Sequence, residues 1–140
     1  MHKLNKIIEN AFKQAIEDTL DKTPQVANEK LLEGFLSSID VMYDDGEKTT
    51  ITFISTKEFL EIFGSGLLGE EEFDELTLKD LSQELANLTI GLAKVLAVTE
   101  GVKFNISTPK VYGYGEFKDS STKSLNFTLE GTKCSLFIHI

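Results

Sequence analysis

Apolar residues recur at helical spacing in three segments of the chain. The first runs from Leu4 to Leu20 and predicts an amphipathic helix. A short second helix is predicted from Thr56 to Phe63, with Gly64, Ser65 and Gly66 breaking the chain after it. The longest segment runs from Thr77 to Val98 and opens with Thr77 followed three residues later by Asp80, a variant of the capping box.

The other patterned segments predict strands. Residues 34–42 and 49–55 are rich in β-branched and aromatic residues, and Asp44, Asp45 and Gly46 between them are typical of a hairpin turn. Further strands are expected over 102–106, 111–117, 124–130 and 133–140. Because regular β-α-β alternation is lacking, the order predicts an α+β fold with amphipathic helices laid on a mainly antiparallel sheet.

The length and composition favour one packed domain over residues 1–140. The chain is 41% hydrophobic and 26% charged and contains only two prolines, as in an ordinary globular protein. An uninterrupted apolar run of about 18 residues is missing, as is an apolar block at the amino terminus. We therefore expect a cytoplasmic protein that does not insert into membranes.

Charge and cysteine content narrow the class of partner. A net charge of −9 argues against nucleic acid, since binding to a phosphate backbone relies on clustered lysine and arginine. The single cysteine, Cys134, excludes an intrachain disulfide and lies in an alternating strand pattern, which predicts a buried side chain. A protein partner or a small ligand is favoured.

Two clusters invite a ligand-binding interpretation that their chemistry does not support. The glycines at 64, 66 and 69 match neither nucleotide-binding loop pattern. A second cluster is acidic and suggests a divalent cation, but contiguous carboxylates in a turn more often form a solvated loop; its members are Glu70, Glu71, Glu72, Asp74 and Glu75. We expect no metal site and no cofactor in this chain.

The long helix presents two different faces. At about 100° per residue, its branched apolar residues converge on one stripe that is predicted to be buried against the sheet, namely Leu81, Leu85, Leu88, Leu92 and Val95. Separations of three, four and seven residues bring other side chains together on a separate side, namely Asp80, Glu84, Asn87 and Gly91, with Lys94 near their edge.

Asn87 and Gly91 are poor choices for the middle of an exposed helix. Asparagine is a weak helix former, and glycine costs about 1 kcal/mol relative to alanine. A solvated helix face explains the charges but not these two residues. Gly91 also removes bulk beside Glu84 and Asn87, which lets the backbone of another molecule approach.

The same helix resembles a known family. The segment Gln83-Glu84-Leu85-Ala86-Asn87-Leu88-Thr89-Ile90-Gly91-Leu92-Ala93-Lys94 is similar to the signature helix of the CheC, CheX and FliY phosphatases, where a glutamate and an asparagine stand three apart ahead of a glycine. Residues 64–75 and 106–111 also resemble CheX. The resemblance covers most of residues 31–140, while the first 30 match only as a leading helix. One Glu-x-x-Asn helix, where CheC-type members usually have two, indicates the CheX-like branch.

The resemblance implies an aspartyl-phosphate hydrolase that acts on a phosphorylated CheY-type response regulator. Asn87 would orient the attacking water, and Glu84 would pair with a lysine of the regulator. Asp80, Gly91 and Lys94 would belong to the docking surface. The regulator would supply Mg²⁺.

CheX-like proteins are known as dimers, and the terminal strand strengthens that expectation. Its alternating residues Cys134, Leu136, Ile138 and Ile140 share one face, and we expect it to form an edge that pairs with a second chain.

Two alternatives to an enzyme are compatible with the sequence. One is a flagellar-switch or signalling adaptor with the same fold, and the other is a ligand-binding or scaffolding domain that matches the motif by accident.

Overall fold

The computed structural model describes residues 2–120 and 123–139. Over these residues the chain forms three helices and seven strands. In chain order they are α1 (His2–Leu20), β1 (Gln25–Ala27), β2 (Glu33–Met42), β3 (Lys48–Ser55), α2 (Lys57–Leu68), α3 (Glu75–Thr99), β4 (Asn105–Ile106), β5 (Lys110–Glu116), β6 (Lys123–Leu129) and β7 (Thr132–His139).

The strands form one sheet in the order β1-β6-β7-β3-β2-β4, with β5 also paired to β2. Every pairing among the described residues is antiparallel. The predicted hairpin joins β2 to β3, and Gly46 in its turn has a φ of 90°, a conformation that glycine adopts without strain. The structure confirms the predicted α+β fold.

The helices cover one face of this sheet. Phe35, Phe53 and Leu136 on that face are buried in one core with the apolar sides of α1, α2 and α3. Alternate residues point to the opposite face, where a smaller cluster of Leu36, Ile54 and Phe137 packs under Leu31 and Phe117. The sheet therefore has one face closed by helices and one face covered in part by connecting segments.

Two glycines that were predicted to end α2 lie inside it. The helix continues to Leu68 and stops at Gly69, which has a φ of 73°. A Cβ on Gly66 would lie 2.2 Å from Leu20 Cδ2, and one on Gly64 would lie 2.7 Å from Leu81 Cδ1. These glycines permit close packing of α2 against its neighbours, a long-range requirement that a local pattern does not show.

The start of α3 also differs from the prediction. Asp74, not Thr77, is the N-cap: its carboxylate accepts a hydrogen bond from the Thr77 amide at 2.8 Å. Hydrogen bonds from the Thr77 side chain and backbone lower the pKa of Asp74, which favours the charged form beside the positive end of the helix. Two strands also differ from the prediction. The strand expected over 102–106 covers only Asn105–Ile106, and the short β1 was not predicted.

The terminal strand is not an edge. β7 pairs with β6 on one side and with β3 on the other, so its backbone is already engaged. The expected face is correct, because Cys134, Leu136 and Ile138 are all buried, while Ile140 lies outside the described residues. The argument that this strand mediates dimerisation is therefore wrong.

Candidate functional site

Helix α3 is held firmly by the face opposite the candidate site. It packs against the helix-covered side of β2 and against α1, and the buried Ser37 hydroxyl of β2 donates a hydrogen bond to the Ser82 carbonyl at 3.0 Å. The residues buried along it are Leu78, Leu81, Ser82, Leu85, Ala86, Thr89, Ile90, Ala93 and Ala97. Many of them are small, which lets the helix axis approach its neighbours closely.

The buried face is turned relative to the predicted leucine stripe. Leu81 and Leu85 are buried as expected, but Leu88 and Leu92 are only partly buried, and Val95 is 65% exposed. At about 100° per residue, the buried set is centred roughly a quarter turn away from the predicted stripe. Assigning Val95 to the core was therefore wrong: small residues, which the pattern treated as neutral, occupy the interface.

The structure places all five predicted site residues on the side of α3 that faces away from the core. Asp80, Asn87 and Lys94 are exposed, and Glu84 and Gly91 are partly exposed. Their spacing puts one residue on each successive turn. A row of polar groups therefore runs along a rigid helix.

Glu84 and Asn87 are free to bind another molecule. Across the described residues, neither side chain has a hydrogen-bond or ion-pair partner. A Cβ on Gly91 would have no heavy atom within 4 Å, so packing within the chain does not require a glycine there. The glycine leaves space above the helix, beside an unused carboxylate and an unused carboxamide.

Glu84 and Asn87 line neither of two hollows on the described surface. A hollow of about 780 Å³ lies elsewhere, between α1 and the carboxyl-terminal end of α3, with Lys3 and Lys13 in its wall. A smaller hollow of about 250 Å³ begins where the row of site residues ends, and it is lined by Asp44, Lys94, Val98, Lys103, Phe104 and Asn105. Sequence reasoning missed this hollow because it joins the end of α3 and the segment that follows it to Asp44, in the distant turn between β2 and β3.

The chemistry available here is hydrogen bonding and charge pairing. A carboxamide both donates and accepts hydrogen bonds, and a carboxylate attracts a cation. Within residues 2–120 and 123–139, no group of three or more histidine, cysteine, aspartate or glutamate side chains is arranged to hold a metal ion. In the same part of the chain, no helix has the length and apolarity needed to cross a bilayer. The row can thus orient groups that another molecule brings.

Comparisons with known proteins identify the fold. No family model matches the chain, and no curated protein matches it in sequence. A CheC-like superfamily protein from Shewanella sp. PV-4 has a TM-score of 0.78 at 19% identity, with 97% of this chain and 96% of that one covered. The chemotaxis protein CheX from Vibrio vulnificus also has a TM-score of 0.78, at 14% identity and 97% coverage of both chains.

A third structure shows such a protein in a complex. It is the CheX–CheY–BeF3–Mg²⁺ complex from Borrelia burgdorferi, with a TM-score of 0.69 at 19% identity over 96% of this chain and 97% of that one. In each of these cases the match extends over nearly the whole of both chains. The protein thus has the fold of the CheX and CheC-like chemotaxis proteins.

Proposed function

We propose that this chain is a CheX-like phosphatase that removes the phosphoryl group from the aspartate of a CheY-type response regulator. One observation supports this most strongly: Glu84 and Asn87 have no partner among the described residues and lie on the exposed side of α3, in a chain with the CheX fold. A protein of that fold is seen with CheY, beryllofluoride and Mg²⁺. Because beryllofluoride mimics a phosphoryl group, that complex supports a regulator in its phosphorylated form as the partner.

Asn87 would act on the attacking water. On the exposed side of a 25-residue helix, its carboxamide can enter a site on another protein and hold a water in line with the phosphorus. A neutral amide suits this position. A carboxylate about 4 Å from a phosphoryl oxygen would be repelled by about 4 kcal/mol at an effective dielectric constant near 20.

Glu84 would fix the register of the docked helix. It lies one turn before Asn87, and its carboxylate, unpaired within residues 2–120 and 123–139, can pair with a lysine beside the regulator's phosphorylation site. In-line attack tolerates little misplacement, so holding the helix in register contributes to the rate as well as to binding. Asp80, Gly91 and Lys94 would complete the docking row on the neighbouring turns.

The partner would supply the metal. The regulator would carry Mg²⁺ beside its phosphoaspartate, where the ion neutralises charge that develops on the phosphoryl oxygens. This chain would contribute no covalent nucleophile and would meet its partner in the cytoplasm.

A homodimer remains part of the proposal, but through a surface other than β7. Light scattering at tens of micromolar tests this oligomeric state, and a monomeric mass would contradict it.

The proposed reaction is tested by following the decay of phosphorylated receiver domains. Candidate regulators from the same cell are phosphorylated with a small-molecule donor, and the decay of each is measured with and without the purified protein. Faster decay that scales with protein concentration supports the proposal. If the protein accelerates the decay of none of them yet binds one, it is an adaptor with this fold and not an enzyme.

A further inference from the structure

Two exposed valines extend the row of site residues. Val95 is 65% exposed and Val98 is 59% exposed. Val98 follows Asn87 by eleven residues and Gly91 by seven, spacings that return to the same side of a helix after three and two turns. Val95 follows Gly91 by four residues and stands on the edge of that side, across the row from Lys94. The apolar surface is therefore continuous with the polar row.

Stability does not explain these valines. Valine is a poorer helix former than alanine, glutamine or lysine, because its branched side chain loses rotamer freedom against the preceding turn. At these exposures neither side chain gains much from burial. These two surface residues weaken the helix and gain little free energy from burial in the free chain. Their presence therefore indicates a contact with another molecule.

An interface of ordinary size, centred on Asn87, is large enough to include Val95 and Val98. A specific interface covers about 800 Å² on each partner, which corresponds to a disc of roughly 16 Å radius. With a rise of 1.5 Å per residue, Val95 lies about 12 Å along the helix from Asn87 and Val98 about 16 Å. A receiver domain centred on Asn87 therefore covers Val95 and reaches Val98.

The hollow at the end of the row offers a place for a partner side chain. Val98 and the buried ring of Phe104 give it apolar surface, while Lys94, Lys103 and Asp44 place charges around it. Apolar anchors in a hollow within a polar rim are typical of the residues that dominate interface energies.

We propose that Val95, Val98 and this hollow form an apolar contact that receives a side chain from the regulator's receiver domain and so helps to select which regulator binds. The inference rests on the proposed function, because it takes the same partner and the same helix. It assigns to Val95 and Val98 a role in binding that is separate from the hydrolytic role of Asn87.

The test replaces both valines without adding charge. In Val95→Gln/Val98→Gln both new residues are polar and favour helix, so the fold should be retained, as a thermal melt would show. The KM for the phosphorylated regulator should rise roughly tenfold, the scale expected for losing two partly buried apolar contacts, with kcat within twofold of wild type. The matched control is Val26→Gln, which alters a valine that is also 59% exposed but lies on β1; its KM and kcat should not change.

A binding titration separates this inference from the proposed function. Receiver domain carrying beryllofluoride and Mg²⁺ is titrated with wild type, the double variant and the control. If wild type binds but does not hydrolyse, a tenfold weaker Kd for the double variant alone still supports the apolar contact. A double variant within twofold of wild type in KM and Kd would overturn it, as would an equal loss in Val26→Gln or a wild type that binds no regulator.

Discussion

Replacing Asn87 by alanine removes the one group that is proposed to act on the attacking water. The side chain is exposed and has no partner within the described residues, so its loss breaks no contact in the free protein. Removing one preorganised polar group from a transition state usually costs about 10²-fold in rate, or about 2.7 kcal/mol. We therefore expect kcat to fall by about 10²-fold or more, with little change in affinity because Glu84 and the rest of the row remain.

Stability should move in the opposite direction. In a helix interior alanine is favoured over asparagine by about 0.6 kcal/mol. In a chain of this length that corresponds to a rise in Tm of about 2 °C. A loss of activity with a gain in stability separates a catalytic role from a structural one.

The assay follows the decay of the phosphorylated regulator, together with a thermal melt and a binding titration. Asn10→Ala is the matched control, since Asn10 is also exposed on a helix but lies on α1; it should gain similar stability and keep full activity. Asn87→Asp tests the electrostatic argument and should weaken binding as well as turnover. An Asn87→Ala variant that hydrolyses at the normal rate would refute the mechanism.

The remaining predictions concern docking, helix packing and thiol reactivity. Glu84→Lys should raise KM more than it lowers kcat, because an attractive pair becomes repulsive, whereas Glu17→Lys on α1 should not; normal turnover at subsaturating regulator would contradict the role of Glu84. Gly91→Ala should raise Tm by about 3 °C, since its Cβ meets nothing and alanine gains about 1 kcal/mol, yet weaken regulator binding; Gly66→Ala should lower Tm, because its Cβ would clash with α1. Burial raises the pKa of Cys134 to about 12, so mass spectrometry should find this thiol unalkylated in native protein at pH 8 and alkylated after unfolding.

The sequence predicted those parts of the structure that depend on local periodicity. The helix spacing placed Glu84 and Asn87 together, and the alternation in the last strand placed Cys134 and Leu136 on a buried face. Both results follow from geometry within one element. The functional assignment came from the motif and not from the periodicity, which by itself is equally typical of a solvated helix face.

The wrong predictions concern features that depend on how one helix or strand packs against another part of the chain. Val95 was assigned to the core because leucines defined the stripe, but more than half of the residues buried along α3 are serine, threonine or alanine, which hydrophobic patterns weight little. Gly64 and Gly66 appeared to end α2, although they are needed by residues of α1 and α3 that approach it. The hollow beside Val98 depends on Asp44, which is far from α3 in the sequence, and no single-segment pattern identifies such a contact.

The central position of β7 has a consequence for how the chain folds. Ile51 of β3 pairs with Ile138 of β7. Among the described residues, the two parts of the sheet, β1 with β6 and β3 with β2, are joined only by β7, which follows the other six strands along the chain. During synthesis on the ribosome, β3 therefore emerges long before the strand that covers its edge. Pairing across such a sequence distance is slow, and we expect the nascent chain to depend on chaperones until residue 139 is free to dock.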